Sequence, residues 1–190
     1  DPLPRLALIT ICCGLLSPSQ EATAGGTVVV WGSATNGKTN IPPEATNIVS
    51  LGAGYSHTLA LRADGRVLAW GENIYGQTNV PATATNVIQI GPGAQHNLVK
   101  RGDGTLVAWG GNPYGQANIP NAATNTPIMF VAGGTSHSTV LRTNGTVFAW
   151  GLAGGGVTNP PAKVARAIRI SAGNKTPYAS ASHTLVLLQD

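Results

Sequence analysis

The side chains best suited to chemistry in this sequence of 190 residues are four histidines: His57, His96, His137 and His183. Imidazole nitrogens bind zinc, but a tetrahedral site needs its ligands about 2.0 to 2.1 Å from a single ion. Each histidine occupies the same position in its own sequence repeat, and equivalent positions around a repeat axis stand far apart. The pattern therefore predicts no metal site. It favours histidines hydrogen-bonded to the backbone at the start of their strands.

Residues that would support catalysis are few. Among the acidic residues, Asp64, Asp103 and Asp190 fall at turn positions, which leaves Glu44 and Glu72 in the repeat region at different repeat positions. A glycosidase needs two carboxylates that meet across its substrate, and this spacing gives no reason for such a pair. The sequence also lacks a G-x-S-x-G nucleophile elbow and a phosphate-binding loop. We therefore predict a protein that is not an enzyme, with no catalytic residue and no cofactor.

Four tryptophans, each followed by glycine, define an internal repeat with spacings of 39, 39 and 41 residues: Trp31, Trp70, Trp109 and Trp150. Before each of the last three, a histidine and then an Asp-Gly or Asn-Gly pair recur at nearly fixed distances, and an Asn ahead of a proline follows each tryptophan. Repeats of this length are typical of propellers and solenoids. The markers divide the chain into the units 26–64, 65–103, 104–144 and 145–190. We expect the tryptophans to pack between units.

Turn chemistry indicates the elements that position these residues. Asp64-Gly65 lies between alternating apolar residues, which is a strong signal for a β-hairpin. The flanking segments 57–63 and 66–71 are predicted strands, and residues 47–53 and 76–80 are predicted as two more. Four short strands per unit predict an all-β fold, a β-propeller of four-stranded antiparallel blades with about four repeats.

The amino-acid composition argues against several classes of protein. Charged residues are only 9% of the chain, which argues against an all-helical protein with a charged surface. The hydrophobic fraction of 42% is too high for a disordered chain. A net charge of +4 is too small to indicate nucleic-acid binding by itself. We therefore expect one globular domain that does not bind nucleic acid.

Residues 1–24 differ from the rest of the chain. Arg5 is followed by the apolar run from Leu6 to Leu16 and by a polar stretch that ends on Ala22-Thr23-Ala24, the pattern of a secretory signal peptide. An apolar run this short does not span the roughly 30 Å hydrocarbon core of a membrane. Both cysteines lie in the run, at positions 12 and 13. We predict a secreted or cell-surface protein without a membrane span, whose domain comprises residues 25–190.

The repeats resemble those of a known family. The segments HTLALRADGRVLAWGENIYGQTNVP, HNLVKRGDGTLVAWGGNPYGQANIP and HSTVLRTNGTVFAWG are similar to regulator of chromosome condensation repeats. They are closest to the short bacterial repeats of the beta-lactamase inhibitory protein II type. The resemblance covers residues 26–190. It implies a bacterial propeller, typically of seven blades in this family, that binds other proteins through its blade loops.

Two loops vary most between units, one before each histidine and one after each Trp-Gly pair. The resemblance implies that these loops carry the partner contacts. A third candidate is the long segment 174–180 of the last unit. The predicted partner-binding residues in these loops are Tyr55, Ser56, Ile74, Tyr75, Gln95, Pro113, Tyr114, Thr135 and Tyr178. Tyrosine suits an interface because it offers a rigid amphipathic surface. The alternative for Tyr75 and Tyr114, which share a repeat position, is packing at a blade edge.

Three functions remain open at this point. A protein partner bound through the loops is the interpretation that the resemblance supports. A carbohydrate-binding lectin would use the same tyrosines to stack on sugar rings. A structural repeat module within a larger surface protein would bind no ligand.

The ends of the repeat region suggest how the blades close. Gly26 occupies the turn-glycine position of a repeat and Asp190 the turn-aspartate position. Pairing of residues 27–31 with residues 183–188 would therefore close a ring in which the N-terminal and C-terminal strands share one blade. The alternative is an arc that is completed either by a second copy, as a homodimer, or by further sequence of a longer repeat protein. The sequence does not choose between these closures.

Overall fold

The computed structural model describes residues 25–161, 164–173 and 182–190. They form three antiparallel sheets of three strands each and one sheet of two strands, in the order of the sequence repeats. The predicted all-β propeller class is confirmed. No helix in this part of the chain is long and apolar enough to cross a membrane. The predicted signal peptide and Tyr178 lie outside the described residues.

Each sheet is one blade, and its strands follow one another in sequence. Blade 1 contains β1 (Ile48–Ala53), β2 (His57–Arg62) and β3 (Val67–Gly71); blade 2 contains β4 (Val87–Pro92), β5 (His96–Arg101) and β6 (Leu106–Gly110); blade 3 contains β7 (Ile128–Gly133), β8 (His137–Arg142) and β9 (Val147–Gly151). The half-blade contains β10 (Ala167–Ala172) and β11 (Thr184–Leu188). The helical elements are α1 (Asn121–Thr124) and two short 3-10 turns, Thr35–Gly37 and Gly154–Gly156.

The hairpin turns between the second and third strands of each blade form as predicted. Gly65 has a φ of 80°, which places it in the left-handed region that favours glycine. The Asp64 carboxylate accepts a hydrogen bond from the Arg66 amide at 3.1 Å and so closes the turn. The same arrangement recurs at Asp103-Gly104 and Asn144-Gly145.

The blades have three strands because the predicted fourth strand does not form. Residues 76–80 are turn and coil. Their amide groups are used locally: the Thr78 amide donates to the Asn73 side chain at 2.9 Å, and the Asn79 amide donates to the Gly76 carbonyl at 3.1 Å. A segment whose donors bond within its own loop cannot pair along a sheet edge. The prediction of four-stranded blades was therefore wrong.

The core lies between the blades, which contact each other in chain order through β1, β4, β7 and β10. Between blades 1 and 2, Leu59, Val67, Val99 and Trp109 belong to one buried cluster. Trp70 and Trp150 are buried in equivalent clusters. This confirms the predicted packing for three of the four tryptophans, whereas Trp31 is exposed.

The two ends of the repeat region do not pair with each other in the structure. Residues 27–31 are not a strand, and β11 pairs only with β10 among the described strands. The N-terminal segment joins the neighbouring blade instead, through a bridge between Gly26 and Ile48. The prediction of terminal strands that share one blade was wrong for the described residues, because the N-terminal segment bonds to β1 and β11 pairs with β10.

Candidate functional site

Two sets of loops meet at one end of the blades, which we call the loop face. The His loops are residues 54–56, 93–95 and 134–136, and the Trp loops are residues 72–79 and 111–118. Each Trp loop begins with a hydrogen bond to the His loop of its own blade: the Glu72 amide donates to the Ser56 carbonyl at 2.8 Å, and the Gly111 amide donates to the Gln95 carbonyl at 2.7 Å. The two loop types that the sequence singled out therefore share one surface.

The His loops are also bonded from blade to blade. The Tyr55 amide donates to the Ala94 carbonyl at 3.2 Å, and the Ala94 amide donates to the Gly134 carbonyl at 3.0 Å. The Thr135 hydroxyl continues this series to the Gly173 carbonyl at 3.3 Å. The loops thus form one continuous hydrogen-bonded rim.

Side chains within each Trp loop fix its shape. In the first loop, Asn73 Nδ2 donates to Asn79 Oδ1 at 2.8 Å, and the Tyr75 amide donates to Gln77 Oε1 at 2.9 Å. Asn112, Asn118 and Gln116 make the same bonds in the second loop, at 2.8 and 3.0 Å. Because Gln77 and Gln116 are buried, each loop stands on a fixed base with its tip toward solvent.

The histidines below the loop face join neighbouring blades. His57 Nε2 bonds Asn97 Oδ1 at 2.7 Å, and His96 Nε2 bonds Ser138 Oγ at 2.9 Å. The carboxamide oxygen can only accept, so His57 carries its proton on Nε2. The prediction of backbone partners was wrong, since each partner is a side chain of the next blade. Sequence analysis missed these partners because they lie about forty residues away and differ in residue type.

Burial keeps these histidines neutral. Desolvation lowers the pKa of His57, although the hydrogen bond from its ring to Asn97 partly opposes the shift. Burial, followed by smaller electrostatic contributions from His137 and His57, lowers the pKa of His96 to about 3. Burial also lowers the pKa of His137. The rings are therefore structural donors at neutral pH and do not act as general acids there.

A glycine three residues before each histidine makes room for its ring. A Cβ atom on Gly93 would overlap the ring of His96, and one on Gly54 would overlap the ring of His57. The same contact recurs between Gly134 and His137. This Gly-x-x-His pattern was visible in the repeats, but the need for close approach of ring to backbone appears only in three dimensions.

One backbone oxygen ties a Trp loop to the next blade. The Gln77 carbonyl accepts a hydrogen bond from Asn97 Nδ2 at 2.7 Å and another from Trp109 Nε1 at 3.0 Å. Both donors belong to blade 2, whereas Gln77 closes the loop of blade 1. The position of the loop that carries Tyr75 is therefore set partly by its neighbouring blade.

The structure places the predicted partner-binding residues that it describes, all except Tyr178, on the loop face but exposes only some of them. The exposed side chains are Tyr55, Ile74, Tyr75, Pro113 and Tyr114, and Gln95 is partly exposed. The tyrosines are about half exposed, so blade-edge packing does not hide them. Ser56 and Thr135 are buried and are left out of the contact surface, because covered side chains cannot meet a partner.

The loop face carries mainly uncharged polar and aromatic side chains. Glu72 is the acidic residue of the Trp loops, and its carboxylate accepts a hydrogen bond from Asn36 Nδ2 at 3.0 Å. Within the described ranges, no three histidine, cysteine, aspartate or glutamate side chains come together as metal ligands. The exposed groups are phenol rings, amides and aliphatic side chains, which suit an interface of aromatic contacts and neutral hydrogen bonds.

Comparisons with known proteins agree with this architecture. The sequence profile of the regulator of chromosome condensation (RCC1) repeat matches residues 48–77 and 87–116. Each match runs from the first strand of a blade to the buried glutamine of its Trp loop. A search of curated protein sequences found no match.

Solved structures share the fold at low sequence identity. Prp20p from Saccharomyces cerevisiae is 22% identical with a TM-score of 0.60, and the alignment covers 75% of this chain and 43% of Prp20p. Yeast RCC1 (Prp20) bound to Kap60 is 18% identical with a TM-score of 0.61 and coverages of 76% and 47%. The ectodomain of the Physcomitrella patens receptor kinase CR4 is 18% identical with a TM-score of 0.61 and coverages of 86% and 45%. The chain spans less than half the length of these proteins. Two of its segments match the RCC1 repeat, and its fold is the β-propeller fold.

Proposed function

We propose that this chain is a non-enzymatic module that binds a protein partner through the loop face. The contact residues are the exposed side chains of the His and Trp loops: Tyr55, Ile74, Tyr75, Gln95, Pro113 and Tyr114. The observation that carries the proposal is a set of half-exposed tyrosines on loops held by internal hydrogen bonds. Loops that are already ordered lose little conformational entropy on binding.

Similar proteins support a protein partner over other ligands. Prp20p, which is yeast RCC1, has binding properties to Gsp1p and histones and was also solved bound to Kap60. A propeller of similar fold therefore binds several protein partners. The loops of the present chain differ in sequence, so the identity of its partner is a separate question.

The proposed setting is outside the cytoplasm. The support is the signal-like composition of residues 1–24, with its apolar run and its Ala-Thr-Ala end. Expression of the chain in a secretion-competent bacterial host, followed by N-terminal sequencing, tests this proposal. Export with cleavage after Ala24 supports it, and accumulation of the uncleaved chain in the cytoplasm contradicts it.

A paired-bait experiment tests the binding surface. The immobilised full chain is exposed to the extracellular fraction of its source organism, beside the double variant Tyr75→Ala/Tyr114→Ala. Removal of two half-exposed tyrosines from an interface centre should lower the recovery of a specific partner at least about 10-fold. Mass spectrometry quantifies each recovered protein.

A matched control separates the loop face from the rest of the surface. Arg66→Ala removes an exposed side chain at a hairpin turn, at the opposite ends of the strands, and should leave recovery unchanged. Equal melting temperatures of the three proteins exclude unfolding as the cause of a loss. A partner that the double variant recovers as well as the wild type would contradict the proposed surface.

Carbohydrate binding is the second candidate, because phenol rings stack on sugar faces as well as on protein side chains. A glycan array probed with the same three proteins distinguishes the two. Sugar binding that Tyr75→Ala/Tyr114→Ala abolishes would replace the protein-partner proposal. A structural module without a ligand would show no specific binding in either assay.

A further inference from the structure

The junction between blades 2 and 3 differs from its neighbours at the hairpin-turn end of the strands. At the junctions on either side, the first amide of the next blade donates to the carbonyl of the turn glycine: Val87 to Gly65 at 3.0 Å, and Ala167 to Gly145 at 3.1 Å. Within the residues that the structure describes, this bond has no counterpart between Ile128 and Gly104. The junction between blades 2 and 3 is therefore open at this end.

The distances from the turn glycines to the next blade agree with this opening. A Cβ atom on Gly65 would stand 3.1 Å from the Asn86 Cα atom, and one on Gly145 would stand 2.9 Å from the Arg166 Cα atom. A Cβ atom on Gly104 would meet no atom within 4 Å. The turn of blade 2 therefore stands away from blade 3.

A longer connection between the blades accounts for the opening. The connection from β6 to β7 has 17 residues, 111–127, whereas the connection from β3 to β4 has 15 residues, 72–86. The additional pair is Thr126-Pro127, which follows Asn125. Asn86 ends the shorter connection with a left-handed φ of 51°, but Asn125 has a φ of -70°. The chain therefore enters β7 from a different direction than it enters β4.

A cleft of about 800 Å³ occupies the open junction, a volume within the usual range of small-molecule sites. Its lining combines apolar residues of both blades, Leu106 and Ile128, with hydroxyl and amide side chains of the blade 2 turn, α1 and the additional pair: Thr105, Asn121, Thr124 and Thr126. Side chains of these polar types both donate and accept hydrogen bonds. The cleft therefore suits a ligand that carries several hydroxyl groups.

A lysine lines the cleft at a position that is leucine in the neighbouring blades. Lys100 stands four residues after its histidine, as do Leu61 and Leu141, which are buried. In the described part of the chain, no carboxylate pairs with the Lys100 ammonium group. Burial lowers the pKa of Lys100, because it removes water from around the ammonium group. A partly buried cation without a counterion is costly for the fold, so its place in the cleft indicates an anionic ligand.

The charge around the cleft is positive. Asp103 also lines it, but its carboxylate is paired with Arg101 at 3.1 Å. The turn of blade 3 has an asparagine in place of this aspartate, and Arg142 donates to the Ala122 carbonyl of α1 instead. Among the described residues, Lys100 and Arg142 are therefore two cations at this junction that no carboxylate neutralises.

We propose that the cleft between blades 2 and 3 binds a sugar acid, a small carboxylate that also bears hydroxyl groups. The carboxylate pairs with the Lys100 ammonium group, the hydroxyl groups bond the threonine and asparagine side chains, and one face of the ring lies on Leu106 and Ile128. A carboxylate fits better than a phosphate dianion, because the nearby Asp103 carboxylate repels a second negative charge. The cleft lies at the opposite ends of the strands from the loop face, so this proposal does not depend on the proposed function.

Isothermal titration calorimetry of the full chain tests the class of ligand. The probes are D-glucuronate, D-glucose and D-glucose 6-phosphate, which share a pyranose ring and differ in the group at its last carbon. D-glucuronate should bind, and D-glucose should bind at least about 10-fold more weakly, because it lacks the charged acceptor for Lys100. The phosphate should also bind more weakly than D-glucuronate. No binding of D-glucuronate at millimolar concentration, or tighter binding of either other sugar, overturns the proposal.

Substitutions of Lys100 test the cation. Lys100→Met keeps the apolar stem and removes the charge where other blades bury leucine, so it should melt at or above the wild-type temperature. Its affinity for D-glucuronate should fall at least about 10-fold, and Lys100→Arg should retain more of the affinity. Arg66→Ala, at the exposed turn of blade 1, is the matched control and should bind as the wild type does. Equal affinities of Lys100→Met and the wild type overturn the proposal.

Deletion of Thr126 and Pro127 tests the cleft itself. The shortened connection has the length that closes the junction between blades 1 and 2, so the junction between blades 2 and 3 should close as well. Lys100 remains in this variant, yet binding of D-glucuronate should be lost. The circular dichroism spectrum shows whether the variant folds, and Lys100→Met alone decides if it does not. A folded deletion variant that binds D-glucuronate as tightly as the wild type overturns the assignment of the cleft.

Discussion

The two ends of the strands are stabilised in different ways. At the loop face, side chains of one blade bond side chains of the next, as His96 bonds Ser138 at 2.9 Å. At the hairpin turns, side chains bond mainly within one turn, as Arg101 pairs with Asp103 at 3.1 Å and Thr105 bonds the same carboxylate at 2.6 Å. Arg101 Nε also donates to the Thr85 backbone carbonyl, ahead of its blade, at 3.0 Å. Between neighbouring blades the turn end contributes backbone bonds, such as that from the Val87 amide to the Gly65 carbonyl at 3.0 Å.

The two ends of each repeat therefore have different structural roles. The hairpin turn organises its own two strands and depends on a short stretch of sequence. The loop face organises the stack, because its buried histidines bond side chains of the next blade. A buried donor that loses its partner costs more than an exposed one, since water cannot replace the missing bond. Substitutions at the loop face should therefore have larger effects than comparable substitutions at the turns.

The largest expected effect is at the buried tryptophan. Trp109→Ala removes an indole that packs between blades 1 and 2 and bonds the Gln77 carbonyl. We expect a loss of about 3 to 5 kcal/mol in the free energy of unfolding. Chemical denaturation measures this loss, and Tyr114→Ala provides an aromatic control that should change stability by less than about 0.5 kcal/mol. A loss below about 1 kcal/mol for Trp109→Ala would contradict the assigned core.

Gly93→Ala should have the next largest effect. The added methyl group would overlap the His96 ring, which is buried and bonded to the next blade, so neither can move without breaking contacts. Overpacking of this kind costs about 3 kcal/mol. Thermal unfolding of the variant beside the wild type measures the change. If Gly93→Ala melts at the wild-type temperature, the close approach of ring and backbone is not required.

Lowering the pH should reduce the stability that the buried histidines below the loop face contribute to the fold. The folded-state pKa of His96 is about 3, below its ordinary value of 6.5, so the unfolded chain binds more protons as the pH falls. This contribution to stability is complete above pH 6.5 and is lost between 6.5 and the folded pKa, at about 1.4 kcal/mol per pH unit. Burial lowers the pKa values of His57 and His137 in the same direction.

The variant His96→Gln sharpens this test. Glutamine keeps an amide donor for Ser138 but does not titrate, so denaturation curves at pH 7.5 and 5.5 should differ less for His96→Gln than for the wild type. The expected difference between the two proteins is about 1 kcal/mol. Equal pH dependence in both would show that His96 does not contribute to acid sensitivity.

The smallest effect is expected at a hairpin turn. Gly104 has a φ of 86°, and a Cβ atom there would meet no other atom within 4 Å. Gly104→Ala therefore costs only the strain of a left-handed backbone, about 1 kcal/mol. Side by side, Gly93→Ala and Gly104→Ala separate steric overlap from backbone strain. A larger loss of unfolding free energy for Gly104→Ala than for Gly93→Ala would contradict the expectation that the loop face is more sensitive to substitution than the hairpin turns.

The parts of the fold that sequence analysis predicted depend on local or periodic signals. Asp64-Gly65 fixes its turn within a few residues, and Trp109 recurs at a constant interval, so both could be recognised without a structure. The fourth strand was mispredicted because the Asn73 side chain takes a backbone donor that a strand would need. The histidine partners could not be predicted, since residue types as different as Asn97 and Ser138 perform the same task in successive blades.

For the candidate site, sequence analysis identified the loops better than the individual residues. Tyr75 and Tyr114 were found because a tyrosine recurs at one variable loop position, and both are exposed. Ser56 directly precedes the buried His57 and Thr135 stands two residues before the buried His137, but the linear sequence does not show their burial, since Tyr55 at the repeat position of Thr135 is exposed. Gln77 and Gln116 were overlooked although they repeat, because nothing in the sequence indicates that they stand beneath the tyrosines.

The two hydrogen bonds that meet at the Gln77 carbonyl have a consequence for engineering. They hold the base of the first Trp loop through groups of the next blade, and neither involves Ile74 or Tyr75 at the tip. The tip can therefore be varied while the anchor is kept, as in a combinatorial library. Positions 74, 75, 113 and 114 form a suitable set for randomisation, because the side chains there are exposed to water.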